Sequence, residues 1–342
     1  MRSLPAHAPL VATTRGGSVE CVHYGSIAVV DAGGRLVAGC GDTTALQFTR
    51  SALKPLQALP LVQDDGIGRL GFGSHELALM CASHNGEAVH VGIVRRMLAR
   101  IDAGASDLQC GCHDPMYYAA TSQRAPASSW GQEYHNCSGK HTGFLAYCRL
   151  HRHPLSNYLD PDSPLQMRIR NTVQEFAGAA PLASGIDGCG APNHALPLDR
   201  LATAYARIAT ADDGALRALF YAMTRHPDLV SGTGRGDLAL MRAGAARGEP
   251  DWVAKVGAEG VQAIGIRSQG LGIAVRIADG NARALQVATG EVLRQLRLVD
   301  AAAAAVLDGG RGEFGRPAIR NYAGRVVGGV EPVFTLDVRA TR

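Results

Sequence analysis

Lysine is scarce in this sequence. Among its 34 basic residues only Lys54, Lys140 and Lys255 are lysines, and arginine supplies the rest. Arginine can fill almost any solvated positive position, but its guanidinium cannot lose a proton in a protein, whereas a buried ammonium can. The three lysines therefore indicate positions that need a primary amine, unless drift in base composition left them at random. The residues around each lysine distinguish between these two explanations.

Long apolar runs and clustered charge are also missing. No stretch approaches the ~20 apolar residues of a membrane span, and residues 1–17 contain no apolar run of signal-peptide length. We therefore expect a cytoplasmic protein without a membrane partner. The net charge of +4 is not gathered into one Lys/Arg face, so no nucleic-acid partner is predicted.

Cysteine is too sparse for a disulfide scaffold, with eight residues in a chain of 342. In a reducing compartment these side chains are thiols or metal ligands. A hydrophobic content of 46% is enough to bury a large core, as one domain or two interleaved ones. We treat residues 1–342 as a single domain.

The order of elements predicts an α+β fold, in which both chain ends build one antiparallel sheet packed with helices and the middle is helical. Short β-rich runs surround a turn at Asp31–Gly34, which predicts a hairpin. Helical spacing and alanine content predict further helices, and β-rich runs predict two late strands. One predicted helix follows Glu87, a second spans 198–208, a third ends near Leu296 and a fourth covers 301–305. The two predicted strands cover 261–266 and 272–277.

The only Ser-x-x-Lys sequence in the chain joins Ser51 to Lys54, and Pro55 follows. Proline is tolerated in the first helical turn, so this spacing predicts that Ser51 caps a helix and shares one face with Lys54. The positive end of the helix dipole then favours the charge that develops in acyl transfer. A neutral lysine one turn away can take the hydroxyl proton, which predicts a serine nucleophile.

Two further signatures follow in order, Ser83-His84-Asn85 and Lys255-Val256-Gly257. Ser-x-x-Lys, Ser-x-Asn and Lys-x-Gly occur in this order in class A β-lactamases and penicillin-binding proteins. The third signature lacks the usual hydroxyl residue, and the second alone is also typical of a polar turn. Their common order favours a serine-type acyl-transfer site.

The remaining lysine lies in the sequence from His135 to His141, which superficially suggests a phosphate loop. A phosphate loop needs glycine where Tyr134 stands and a hydroxyl residue where His141 stands, so no nucleotide site is predicted. Cys137 and His141 could form a thiol nucleophile and its base, or Cys137 and Cys189 could hold a metal. The Cys-Gly-Cys-His sequence at 110–113 is a rival metal site, and buried structural cysteine is the remaining alternative.

These residues together resemble the L-asparaginase II family of bacterial and fungal type, in particular the rhizobial-type inducible, thermolabile asparaginases. The resemblance covers nearly the whole chain, and all three lysines fall inside its motifs. Those motifs are Arg50-Ser51-Ala52-Leu53-Lys54-Pro55, Cys81-Ala82-Ser83-His84, Asn136-Cys137-Ser138-Gly139-Lys140-His141, Asp187-Gly188-Cys189, Gly232-Thr233-Gly234-Arg235 and Lys255-Val256-Gly257-Ala258-Glu259-Gly260.

The resemblance implies a fold like that of serine β-lactamases and glutaminases, and a homodimer. It implies Ser51 as nucleophile with Lys54, and Ser83 with Lys255 as a second Ser-Lys pair. A zinc ion bound by Cys137, Lys140 and Cys189 is implied beside the active site. Arg50, His84 and Asp187 match substrate-binding positions, which suits the carboxylate and ammonium of asparagine.

Our hypothesis is hydrolysis of L-asparagine to L-aspartate and ammonia through a seryl acyl-enzyme. Glutamine differs from asparagine by one methylene, so a glutaminase is an alternative. A penicillin-interactive acylase would use the same motifs. A non-catalytic zinc-binding or amino-acid-binding module is the alternative from another class of protein.

Overall fold

The computed structural model describes residues 4–178, 183–309 and 313–339. The chain divides into two compact units. Unit 1 comprises Met1–Ala52, Leu196–Ala209 and Arg242–Arg342, and unit 2 comprises Leu53–Ala195 and Thr210–Met241. The single domain expected over residues 1–342 stays a prediction.

The mixed helix and strand content confirms the predicted α+β class. The strands are β1 (Ala8–Arg15), β2 (Ser18–Asp31), β3 (Leu36–Cys40), β4 (Leu46–Phe48), β5 (Ala183–Ile186), β6 (Pro192–Pro197), β7 (Trp252–Gly257), β8 (Val261–Ile266), β9 (Leu271–Ile277), β10 (Ala318–Arg320), β11 (Val326–Pro332) and β12 (Asp337–Val338). The α-helices are α1 (Lys54–Gln63), α2 (Gly66–Arg69), α3 (Ser74–Met80), α4 (Ala88–Arg100), α5 (Met116–Ala120), α6 (Ser138–Leu150), α7 (Pro164–Ala177), α8 (Leu198–Thr210), α9 (Gly214–Arg225), α10 (Pro227–Val230), α11 (Gly236–Gly244), α12 (Ala282–Gln295) and α13 (Ala301–Asp308). Short 3₁₀ turns lie at Arg50–Leu53, Ala105–Asp107 and Gln132–Tyr134.

Unit 1 is built on an antiparallel sheet with the strand order β10-β11-β1-β2-β9-β8-β7. Strand β3 also pairs with β2, and β12 pairs with β3. Both chain ends thus contribute strands. The predicted hairpin joins β2 to β3, and the Asp31 carboxylate accepts hydrogen bonds from the backbone N–H groups of Gly33 and Arg35 within its turn.

Helix α8 packs tightly on the sheet of unit 1 because two strand residues are glycines. A Cβ atom at Gly272 would lie 1.9 Å from the Ala202 carbonyl oxygen, and one at Gly265 would lie 2.3 Å from that of Tyr205. Any side chain there would push the helix off the strands, since real Cβ atoms do not approach oxygen so closely. Helix α12 packs against β1, β9 and β11.

Unit 2 is mainly helical, with β5 and β6 paired as a short antiparallel hairpin. Its core forms where α1 packs against α6 and α7, and α3 packs against α4, α6 and α9. Residues 138–148 of α6 are all buried. Gly139 makes this possible, because a Cβ atom there would lie 2.3 Å from the Leu79 carbonyl oxygen. No helix in the described part of the chain is long and apolar enough to cross a membrane.

The sequence-based element predictions are confirmed for the late strands and for four helices. The predicted strands are β8 and β9, and the predicted helices are α4, α8, α12 and α13. The start of α1 differs. Ser51 does not cap that helix, because Leu53 is its N-cap residue and Ser51 lies inside the preceding 3₁₀ turn.

Candidate active site

The ten candidate site residues are divided between the units. Unit 1 contains three of them, Arg50, Ser51 and Lys255, and unit 2 contains the other seven, Lys54, Ser83, His84, Cys137, Lys140, Asp187 and Cys189. The boundary passes between Ala52 and Leu53, inside the 3₁₀ turn. Each group of residues is therefore described within its own unit.

The 3₁₀ turn Arg50–Leu53, which we call the serine turn, begins in unit 1 with a strained residue. Arg50 has a φ angle of +50°, in the left-handed region, where a non-glycine residue costs about 1 to 2 kcal/mol. Such a conformation persists only where surrounding contacts impose it. Ser51 follows directly, and its side chain is partly exposed. The strain at Arg50 thus sets the direction in which the chain enters the serine turn.

The end of β7 supplies the contacts that hold this turn. A Cβ atom at Gly257 would lie 2.7 Å from the Thr49 carbonyl oxygen and 3.2 Å from the Arg50 Cβ. The Arg50 guanidinium also lies 3.8 Å from the carboxylate of Glu259. Gly257 is the glycine of the Lys-x-Gly signature, so its physical role in this structure is to let the backbone before Ser51 approach the sheet.

Gly257→Ala is expected to lower kcat for the amide hydrolysis that the sequence predicts by about 10- to 100-fold, with a smaller change in KM. The new methyl group must displace Thr49 or Arg50, and a shift of about 1 Å at a reacting group costs about that much rate. The measurement is steady-state kinetics beside a thermal melt. Gly92→Ala on α4 is the control, because a Cβ atom there meets only the Arg96 guanidinium at 3.6 Å. Unchanged kcat in Gly257→Ala would show that this packing does not position Ser51.

Lys54 opens α1 in unit 2 and is buried. Its Nζ donates hydrogen bonds to the Ala82 carbonyl oxygen and, at 3.0 Å, to Ser83 Oγ. Burial lowers the pKa of the Lys54 ammonium, and the positive charge of Lys140 adds to this, although the Cys137 thiol opposes it. The amine is thus nearer to its neutral, basic form than a solvated lysine.

The same amine belongs to a buried thiol–lysine cluster, formed by Lys54, Cys137, Lys140 and Cys189. Cys137 hydrogen-bonds to Cys189 and to Lys54, and Lys140 Nζ donates to Cys189 Sγ at 3.1 Å. The hydrogen bond from Cys189 holds the pKa of Cys137 well below its ordinary value, and both lysines act in the same direction against burial. Burial lowers the pKa of Lys140, but Cys189 and Cys137 outweigh it and raise that pKa.

The thiol–lysine cluster has donors that suit zinc, which accepts thiolate sulfur and neutral nitrogen. Among the described residues, no group of three or more histidine, cysteine, aspartate or glutamate side chains could hold a metal ion. A zinc ion bound here would therefore need Lys140 as a third ligand. The rival site at 110–113 is not assembled, because Cys110 is buried and hydrogen-bonded to the Gln132 carbonyl oxygen whereas Cys112 is exposed.

His84 is enclosed in unit 2 and both of its ring nitrogens are engaged. Nδ1 accepts a hydrogen bond from the backbone N–H of Gly86, so Nε2 carries the proton and donates to Ser138 Oγ at 2.9 Å. The serine hydroxyl in turn donates to the Glu133 carbonyl oxygen. Burial lowers the pKa of His84 well below its ordinary value, which agrees with a neutral ring. Substrate contact by His84 stays a prediction, and these bonds show a structural role.

Asp187 lies in the turn between β5 and β6, two residues before Cys189. Its carboxylate accepts hydrogen bonds from the backbone N–H of Gly188 and from the Asn193 side-chain amide.

In unit 1, Lys255 on β7 is completely buried, and its Nζ donates to the Val256 carbonyl oxygen at 3.0 Å.

Glu87, which was not among the candidate site residues, joins two of the sequence motifs. The Glu87 carboxylate accepts hydrogen bonds from the Asn85 amide and from both the backbone N–H and the hydroxyl of Thr233. Gly232 allows this contact, because a Cβ atom there would lie 2.6 Å from a Glu87 oxygen. The asparagine of Ser-x-Asn is thus a structural link to the motif at 232–235. In the sequence, the only indication of this contact was a glutamate four residues after Ser83.

Comparison with known proteins identifies the family. The sequence profile described as L-asparaginase II matches residues 11–332. The chain belongs to the L-asparaginase II family. No match was found among curated proteins.

Several solved structures are similar to the chain at low identity. The protein named Mglu, in its native form, shares 15% identity over 80% of this chain with a TM-score of 0.44, and the chain spans 61% of its length. A β-lactamase from Mycobacterium bovis shares 16% identity over 83% of this chain and 93% of its own, with a TM-score of 0.32. A penicillin-binding protein homologue from Caulobacter crescentus shares 16% identity over 76% of this chain and 90% of its own, with a TM-score of 0.39.

Proposed function

We propose that the protein hydrolyses the side-chain amide of L-asparagine to L-aspartate and ammonia, through an acyl-enzyme on Ser51. The observation that carries the proposal is the Ser51-x-x-Lys54 sequence in a continuous run of helical turns, with a buried lysine whose pKa is lowered, in a chain that matches the L-asparaginase II family. A neutral amine one turn after a serine is the arrangement that activates a hydroxyl.

In the proposed reaction Ser51 Oγ attacks the amide carbon while its proton passes to Lys54 Nζ. Lys54 returns that proton to the leaving nitrogen, and ammonia departs as the seryl ester forms. Water then attacks the ester carbon and loses a proton to Lys54, which passes it back to Ser51 Oγ as aspartate leaves. The hydrogen bond from Lys54 to Ser83 supports a wider proton network, in which we include Lys255.

Arg50 and Asp187 are the groups we propose for substrate recognition. An asparagine zwitterion offers a carboxylate to the guanidinium and an ammonium to the aspartate. The Arg50 guanidinium is partly exposed and lies 3.8 Å from Glu259, so a substrate carboxylate would compete with that carboxylate for the same cation. The homodimer and the cytoplasmic location stay predictions.

The test of this function is ammonia release from L-asparagine and from L-glutamine. We expect turnover of asparagine. Both substrates are tested because one methylene changes binding in a pocket by only about 1 to 3 kcal/mol. Preference for glutamine would favour the glutaminase alternative. No ammonia from either substrate would contradict the hydrolase and favour a binding module.

We also propose zinc binding at the thiol–lysine cluster by Cys137, Lys140 and Cys189. A bound zinc ion would supply Lewis acidity and fix the positions of its ligands. The raised pKa of Lys140 means that this amine must release a proton to become a ligand.

Metal analysis tests the zinc site. Protein purified without chelator is expected to contain about one zinc per chain, and Cys137→Ser and Cys189→Ser are each expected to lose most of it. Cys148→Ser is the matched control, because Cys148 is also a buried cysteine of unit 2 but lies outside the cluster. Wild-type protein that contains no zinc and takes up none would remove this proposal and leave the hydrolase proposal intact.

A further inference from the structure

Aromatic side chains are sparse in the sequence, at 5% of residues, yet four of them line one cavity in unit 2. The cavity has a volume of about 440 Å³, and its aromatic lining consists of Tyr117, Tyr118, Trp130 and Tyr134. Glu87 is the charged residue of its lining. A volume in this range, with aromatic walls and few polar groups, is typical of sites for small molecules. None of the residues to which the proposed hydrolysis assigns a role lines it.

The four rings form a continuous wall. Trp130 contacts Tyr134 with ring centroids 4.9 Å apart and Tyr118 with centroids 6.1 Å apart, and Tyr118 contacts Tyr117 at 5.6 Å. Aromatic faces carry negative charge density and attract cations within about 6 Å of the ring centre, tryptophan most strongly. One ring already does so, because the Arg95 guanidinium lies 5.8 Å from the centroid of Tyr134.

Glu87 adds a formal negative charge. Burial opposes its ionisation, but the hydrogen bonds from Thr233 and Asn85 outweigh burial and lower the pKa of its carboxyl group. The same bonds hold the carboxylate in place. The pocket thus combines a fixed negative charge with apolar, electron-rich walls, which complements a cation that carries alkyl groups.

We propose that this aromatic pocket binds a small alkylated ammonium ion. Alkylation weakens hydration of the cation, so transfer from water to the aromatic faces is easier than for a bare ammonium. The binding is independent of the proposed amide hydrolysis, because the two sites share no residue.

Isothermal titration with choline, compared with its neutral carbon analogue 3,3-dimethyl-1-butanol, tests this proposal. Choline is expected to bind saturably, and the neutral analogue at least about ten times more weakly, because only the cation gains from the rings and from Glu87. Trp130→Ala and Glu87→Gln are each expected to weaken choline binding by about fivefold or more. Tyr322→Ala, which removes a fully exposed tyrosine of unit 1, is the control and should bind as wild type does.

Tryptophan emission gives a second measurement on the intact protein. The chain has only two tryptophans, and Trp252 is buried in unit 1, so a saturable change with choline should come from Trp130. Equal binding of choline and its neutral analogue would overturn the proposal. Choline that produces neither saturable heat nor an emission change in the wild type would overturn it too, whatever the outcome of the ammonia assay.

Discussion

Replacing Ser51 by alanine is expected to abolish ammonia release from L-asparagine, with a fall in kcat of about 10⁴-fold or more. Loss of the nucleophile removes the covalent route, and the remaining rate comes only from binding and electrostatic effects. Ser51 is partly exposed at the surface of unit 1, so its removal should leave the melting temperature almost unchanged. The measurement is steady-state ammonia release at saturating asparagine, beside a thermal melt.

Two further variants make the result specific. Ser156→Ala removes an exposed hydroxyl of unit 2 and should be fully active. Ser83→Ala should fold and lose activity less completely than Ser51→Ala, because Ser83 is proposed to transfer protons and not to form the ester. Full activity in Ser51→Ala together with an inactive Ser83→Ala would exchange the two roles.

Lys54→Arg is expected to lower kcat about 10³-fold although it preserves the positive charge. A guanidinium cannot release its proton in a protein, so the variant lacks the general base that the mechanism needs. Lys54→Met removes the amine with a side chain of similar length and should lower kcat to the same extent. Both variants are compared with the wild type in steady-state kinetics and in thermal melts.

The methionine variant keeps this prediction testable if arginine does not fit the buried position. Lys54 is only 1% exposed, and methionine is flexible and apolar, so it suits such a position. A folded Lys54→Met that keeps a tenth or more of the wild-type kcat would be incompatible with Lys54 as the base.

The sequence predicted local elements well, because their signals are local. The Asp31 turn carries its own side-chain hydrogen bonds, and α4 shows its apolar face in the spacing of Val91, Val94 and Leu98. Strands β8 and β9 appear as apolar runs separated by a turn. Strands β10 to β12 were not predicted, since they are short or largely exposed and lack that pattern.

The serine turn could not be predicted, because distant contacts determine it. Its motif suggested a helix cap at Ser51, whereas the structure has a 3₁₀ turn after an arginine in the left-handed conformation. The contact that accompanies this conformation comes from Gly257, more than two hundred positions later in the chain. A sequence motif gives the residue types in such a contact, but not the distance between them.

The partners of Lys54 were equally hidden from the sequence. Spacing paired it with Ser51, which stays a prediction. Within unit 2 the structure gives Lys54 two partners that spacing did not indicate, Ser83, 29 positions away, and Cys137. The resemblance named Cys137, Lys140 and Cys189 as one group, and the structure brings all three together with Lys54 inside unit 2.

The burial of the lysines also determines how the protein surface can be modified. All three lie in the described part of the chain, and Lys54, Lys140 and Lys255 are 1%, 3% and 0% exposed. Reagents that acylate lysine, including amine-reactive dyes, crosslinkers and activated supports, therefore have no exposed ε-amino group to react with in the folded protein. The ε-amino groups thus offer no route to immobilisation of the folded protein, whereas an exposed thiol such as that of Cys21 or Cys112 does.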